Sequence, residues 1–162
     1  MDVKYRRLSS DELVELQKEF VEYLVVNGIT ADEWERMKQA DLSKAERIID
    51  LFSDVVFEGV FRKARFLEHV SPDQLFTFHA MEEKILLIGI TDETGSLDFT
   101  LPETFEQLKR EVPGGLKIFQ QEKPYQKQRE VELFELVQKG AQLSDGGLFK
   151  QLSLLYASTQ TI

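Results

Sequence analysis

The sequence predicts an α+β fold, with three N-terminal helices including one long helix, a small antiparallel sheet of three to four strands, and C-terminal helices. Three observations predict it. The first third of the chain carries three helix-start patterns in succession, Ser9 with Glu12, Thr30 with Glu33 and Ser43 with Glu46, each a hydroxyl followed three residues on by Glu. After Ser71, Pro72 and Asp73 the apolar spacing changes from about 3.6 to 2, the repeat of a strand. Beyond Pro102 helical spacing returns, punctuated by glycines.

The first helix is expected over residues 10–27, with Ser9 as cap, Leu13, Leu16, Phe20 and Leu24 at helical spacing, and Gly28 as a left-handed stop. The second, over 31–40, starts at Thr30 and buries Trp34 and Met37. The third and longest opens at Ser43 and keeps its pattern to Val70, with Ile48, Ile49, Leu51, Phe52, Val55, Val56, Val60, Phe66 and Leu67 on one broad face. Gly59 lies within that face, where it would let another backbone come close. The runs 75–81 and 84–91 then read as a hairpin across Glu82 and Glu83, and residues 97–101 as a third strand. A short helix follows Pro102, residues 116–120 suggest a fourth strand, and two helices are expected over 125–139 and 147–157. With no internal repeat and no long linker, residues 1–162 read as a single domain.

Composition excludes several classes of function. Without cysteine there is no disulfide, no thiolate metal site and no thiol nucleophile. A net charge of −9, spread evenly along the chain, opposes nucleic acid and anionic lipid as partners. No run is long and apolar enough for a membrane span, and the first residues lack the apolar centre of a secretory signal, so the expected location is cytoplasmic. The two histidines, His69 at the expected end of the long helix and His79 on the expected solvated sheet face, occur in no zinc-binding spacing, so neither metal nor cofactor is expected. No serine elbow or Ser-x-x-Lys pair identifies a reaction.

Three features invite a functional reading. Phe57 and Phe61 sit four residues apart outside the main apolar face of the long helix, where either a neighbouring helix of the same chain covers them or a partner does. Glu46, Asp50, Asp54 and Glu58 form a carboxylate stripe beside them, read as a solvated face offset by Arg47, Arg62 and Arg65. Arg6 and Arg7 read likewise as charge balance. Ser144, Gly146, Gly147 and Lys150 place a glycine pair and a lysine at a helix start, where backbone N–H groups attract anions such as phosphate. The bland account of that segment is a capped turn.

The stretches KYRRLSSDELVELQKEFVEYL, ITADEWERMK and LSDGGLFKQLSLLYA together resemble a small bacterial protein family that is itself uncharacterised, a domain of unknown function. The likeness covers most of the chain. It implies a one-domain cytoplasmic bacterial protein and brings no catalytic residue, cofactor or substrate. The reading that results is a non-enzymatic protein-binding or regulatory module, a homodimer or a partner binder, working through the long helix. The alternative is a small-molecule protein or enzyme that binds an anion in a pocket between sheet and helices.

Overall fold

The computed structural model describes residues 3–160. They belong to two compact units, residues 1–62 and 63–162, each described by itself.

The first unit is helical. Helix α1 (Ser10–Glu15) begins with both halves of the expected capping box, Glu12 N–H donating to Ser9 Oγ and Ser9 N–H to the Glu12 carboxylate. The expected single helix over 10–27 is two, because Leu16 relaxes to φ −100°, ψ 20° and α2 (Gln17–Val26) starts anew. Hydrogen bonds Leu16 N to Glu12 O and Phe20 N to Leu16 O carry the helical path across that kink. Gly28, at φ +73°, supplies the left-handed stop. Helix α3 (Ala31–Ala40) is capped by Thr30 Oγ1, which accepts from Glu33 N–H.

Helix α4 (Leu42–Lys63) departs from expectation at both ends. Asp41, not Ser43, caps it, its carboxylate accepting from Lys44 N–H at 3.2 Å. It stops at Lys63 instead of Val70; with the break at Leu16, four helices stand where three were expected. The core of this unit gathers Leu24, Trp34 and Ala45, with Phe20, Ile29, Met37, Ile48 and Ile49 against them. Phe20 meets the Trp34 ring edge-on at 5.1 Å.

The second unit is a sheet with three helices. Its strands are β1 (Phe66–Ser71), β2 (Gln74–Ala80), β3 (Lys84–Asp92), β4 (Leu116–Pro124) and β5 (Gln142–Ser144), all antiparallel, in the order β4-β3-β2-β1-β5. The sheet therefore has five strands, not three or four. Two of the five replace expected helix or turn: β1 takes the residues assigned to the end of the long helix, and β5 pairs with β1 through Phe66 and Ser144. Residues 97–101, expected as a strand, form a loop instead, because the Asp92 carboxylate accepts from Thr94 N–H and Leu97 N–H and turns the chain away from the ladder.

Helices α5 (Pro102–Arg110), α6 (Arg129–Gln138) and α7 (Gly147–Gln160) complete the unit. One sheet face supplies Leu75, Ile88 and Ile90 to a core shared with Phe99, Leu108, Phe149 and Leu152. Thr77, wholly buried on that face, satisfies its hydroxyl by donating to Ile88 O at 2.8 Å. On the opposite face Gly89 lies between Phe76 and Phe119, whose rings meet edge to face at 5.9 Å.

Candidate functional site

The chain itself covers the aromatic pair on α4. Phe61 is buried and Phe57 half-buried, and Tyr5 packs on both, with ring centroids 6.2 Å and 6.0 Å away. The Arg6 guanidinium lies 4.7 Å over the Phe57 ring. The covering segment is residues 4–8, not a neighbouring helix.

That same segment uses the acidic stripe. The Asp54 carboxylate accepts two consecutive backbone amides, Lys4 N–H at 2.9 Å and Tyr5 N–H at 3.0 Å. Glu58 takes the Lys4 ammonium at 2.7 Å and the Tyr5 hydroxyl, while Arg7 reaches Asp50 at 2.5 Å and Glu46 at 3.8 Å. Leu8 N–H donates to the buried Ser53 hydroxyl, which in turn donates to Ile49 O. Of the three arginines expected to offset the stripe, Arg62 reaches Glu58 at 3.4 Å, but the main partners come from residues 4–7. Glu12, held by Arg6 and by the Ser9 amide, has its carboxyl pulled down to about 2.

The helix start at residues 144–150 fills its own donors. Ser144 belongs to β5, and its Oγ accepts from Gly146 N–H at 3.1 Å. Gly147 N–H donates to the Asp145 carboxylate at 2.9 Å, so the first amide of α7 already faces an anion supplied by the chain. Gly146 adopts φ +88° directly beneath the Phe66 ring, and any Cβ there would stand 2.5 Å from it. Lys150 lies 5.7 Å over that same ring. Ser144, Gly146 and Lys150 are thus brought together around Phe66, while Gly147 faces Asp145.

Neither histidine sits where the sequence suggested. His69 is in β1, its ring edge 3.1 Å from where a Cβ on Gly140 would stand. His79 is half-buried, stacked on Phe66 at 4.6 Å and edge-on to Phe149 at 5.4 Å. Burial, helped by the Arg65 charge, lowers its pKa below the ordinary value. Among the described residues no three His, Asp or Glu side chains gather as a metal-holding group, and no described helix is long and apolar enough to cross a membrane.

Sequence reasoning passed over the outward face of α1 and α2. Val14, Val21, Val25 and Val26 are 70%, 50%, 67% and 85% exposed. Val14, Lys18, Val21 and Val25 recur at spacings of four, three and four, so they form one stripe opposite Leu16, Phe20 and Leu24. The signal was present as a second apolar period on a helix whose buried face was already complete.

Residues 1–157 match a family of unknown function, DUF6495. The chain belongs to that family. No curated protein and no solved structure matches it. Membership in DUF6495 agrees with the resemblance carried by the three helix-start stretches, and it assigns no residue a role. The chemistry of the site therefore rests on the residues themselves.

Proposed function

We propose that the chain is a non-enzymatic protein-binding module whose contact surface is the outward face of α1 and α2, centred on Val21 and Val25. The observation that supports this reading is the cost of those valines. An exposed helix position with no contact to make is better filled by Lys, Glu or Ala, because a β-branched side chain loses rotamer freedom against the preceding turn. Water contact with the apolar surface adds a second cost. Local rules broken together on one face mark a surface kept for a use.

The distribution points the same way. Eight of the twelve large hydrophobics exposed among the described residues fall in the N-terminal 62: Val14, Val21, Val25, Val26, Leu42, Leu51, Val55 and Val60. That concentrates the contact surface on the helical unit. A convex stripe of three valines and one lysine, roughly 16 Å long at 1.5 Å per residue, suits a partner's apolar groove or helix better than a small ligand. Phe57 and Phe61 keep their place in the reading as the support of the segment 4–8.

The test is a photo-crosslinking residue placed at position 18, in the middle of the stripe, and at the exposed position 106 on α5 as control. Position 18 is expected to give a discrete protein adduct in cells, a second copy or another chain, where position 106 gives none. Equal labelling from both positions would count against the surface.

A further inference from the structure

A cleft of about 240 Å³ opens in the second unit between α6 and the sheet face that does not carry the main core. Strand alternation builds its floor. Phe78 pairs with Leu87, and Leu87 with Gln121, while Ile85 pairs with Lys123, so these side chains project from one face of β2, β3 and β4. Helix α6 crosses that face with Leu133 wholly buried, and Leu136 lines the cleft beside Phe78, Ile85 and Leu87. The wall at Tyr125 is fixed, because its hydroxyl donates to Met81 O at 2.9 Å.

The charges around this floor do not cancel. Three acids line the cleft: Glu122 pairs with the Lys84 ammonium at 3.0 Å and Glu135 with Lys127 at 2.6 Å, while Glu132 accepts from the neutral Lys127 backbone amide at 3.0 Å and keeps its charge. The two lysines of the lining, Lys123 and Lys139, make no ion pair among the described residues. Set against Lys84, Lys127, Lys123 and Lys139, the three carboxylates leave a net positive charge of one beside an apolar floor, on a chain whose own net charge is −9. Their residual positive field selects the sign of a ligand, and the floor selects its body.

We propose that this cleft binds a small amphipathic anion, an apolar-bodied carboxylate, with Phe78, Ile85, Leu87 and Leu136 taking the body and Lys123 and Lys139 the head group. The site belongs to the sheet unit and is independent of the valine stripe. Solvated lysines alone would attract any anion weakly and would be indifferent to an apolar body. A dry floor alone would take the neutral or cationic analogue equally well.

Titration of the full ¹⁵N-labelled chain with 3-phenylpropionate, 3-phenylpropan-1-ol and 3-phenylpropylammonium separates these cases, with acetate as the head group alone. The carboxylate is expected to bind at millimolar concentration or below, with shifts confined to amides of β2, β3, β4 and α6. Its affinity is expected to fall about tenfold in the pair Lys123→Glu with Lys139→Glu, and the ammonium analogue is expected not to bind. The milder pair Lys123→Gln with Lys139→Gln serves the same purpose should charge reversal disturb the fold. The proposal is overturned if the carboxylate does not bind, if its shifts map elsewhere, or if acetate or the ammonium analogue binds equally well. Unchanged affinity in folded lysine variants overturns it too.

Discussion

Tyr5 stacks on Phe61, ring centroids 6.2 Å apart and planes inclined at 27°. A residue near the start of the chain thus completes the surface of α4, while the two backbone amides at Lys4 and Tyr5 are held by one carboxylate, Asp54. Tyr5→Ala is expected to cost about 3 kcal/mol, the scale of a buried aromatic truncation. Tyr5→Phe, which loses only the hydroxyl bond to Glu58, is expected to cost about 1 kcal/mol. Urea denaturation of the two variants checks the ratio, and equal losses would mean that the ring contributes nothing.

Gly89 is a steric requirement. A Cβ there would lie 2.6 Å from Phe119 Cζ and 2.7 Å from Phe76 Cδ1. Gly89→Ala is therefore expected to cost about 1–3 kcal/mol through overpacking, and Phe119→Leu in the same chain is expected to recover part of it. A double-mutant cycle by thermal denaturation measures the coupling, and strict additivity would show that the ring is not what resists the methyl.

How much of this was legible in the sequence depended on how local the cause was. The cap at Ser9, the glycine stop at Gly28 and the hairpin across Glu82 and Glu83 were readable, because neighbours in sequence or a simple alternation specify them. Strand β1 was not. In Phe66–Ser71, apolar side chains fall on both sheet faces, and a short run of that kind fits a helix equally well by periodicity. The role of the acidic stripe was hidden for another reason: its partners Lys4, Tyr5 and Arg7 lie some fifty residues away, and no spacing rule reaches that far. At the candidate surface, Phe57 and Phe61 drew attention by size, while the smaller Val14, Val21 and Val25 proved more exposed.

Arg129 at the first position of α6 ties three carbonyls of the sheet unit. Its Nε donates to Met81 O at 3.1 Å, and one Nη donates to Ala80 O at 3.0 Å and to Ala64 O. Arg129→Met is expected to cost about 2–3 kcal/mol by leaving those acceptors without their charged donor. Arg129→Lys is expected to restore less than half of that loss, since a single ammonium does not reproduce the planar fork. Chemical denaturation of both variants decides it, and full rescue by Lys would reduce the role to charge alone.

Glu12 and His79 both contribute to the acid response, and their signs agree. Glu12 has a folded pKa of about 2 against an ordinary 4.5, so its contribution is present above 4.5 and is lost as pH falls toward 2. His79 is lowered from 6.5, so the folded chain prefers it neutral and stability falls as pH drops below 6.5. His79→Phe is expected to flatten the upper part of the pH dependence, between about pH 7 and pH 5, and Glu12→Gln the lower part. Denaturation midpoints taken from about pH 7 down to about pH 2 check both. A His79→Phe chain that loses stability as steeply as the parent would remove His79 from the account.

The central claim is that the stripe on α1 and α2 serves a partner and not the fold. The measurement that tests it most directly pairs stability with contact in one chain carrying Val21→Lys and Val25→Lys. Because Lys is the better helix former by about 0.3 kcal/mol per exposed position, the melting temperature is expected to hold or rise slightly. Crosslinking from position 18 is expected to vanish in the same chain. A marked fall in melting temperature with the adduct intact would contradict the claim, and would return those valines to the architecture of the helical unit.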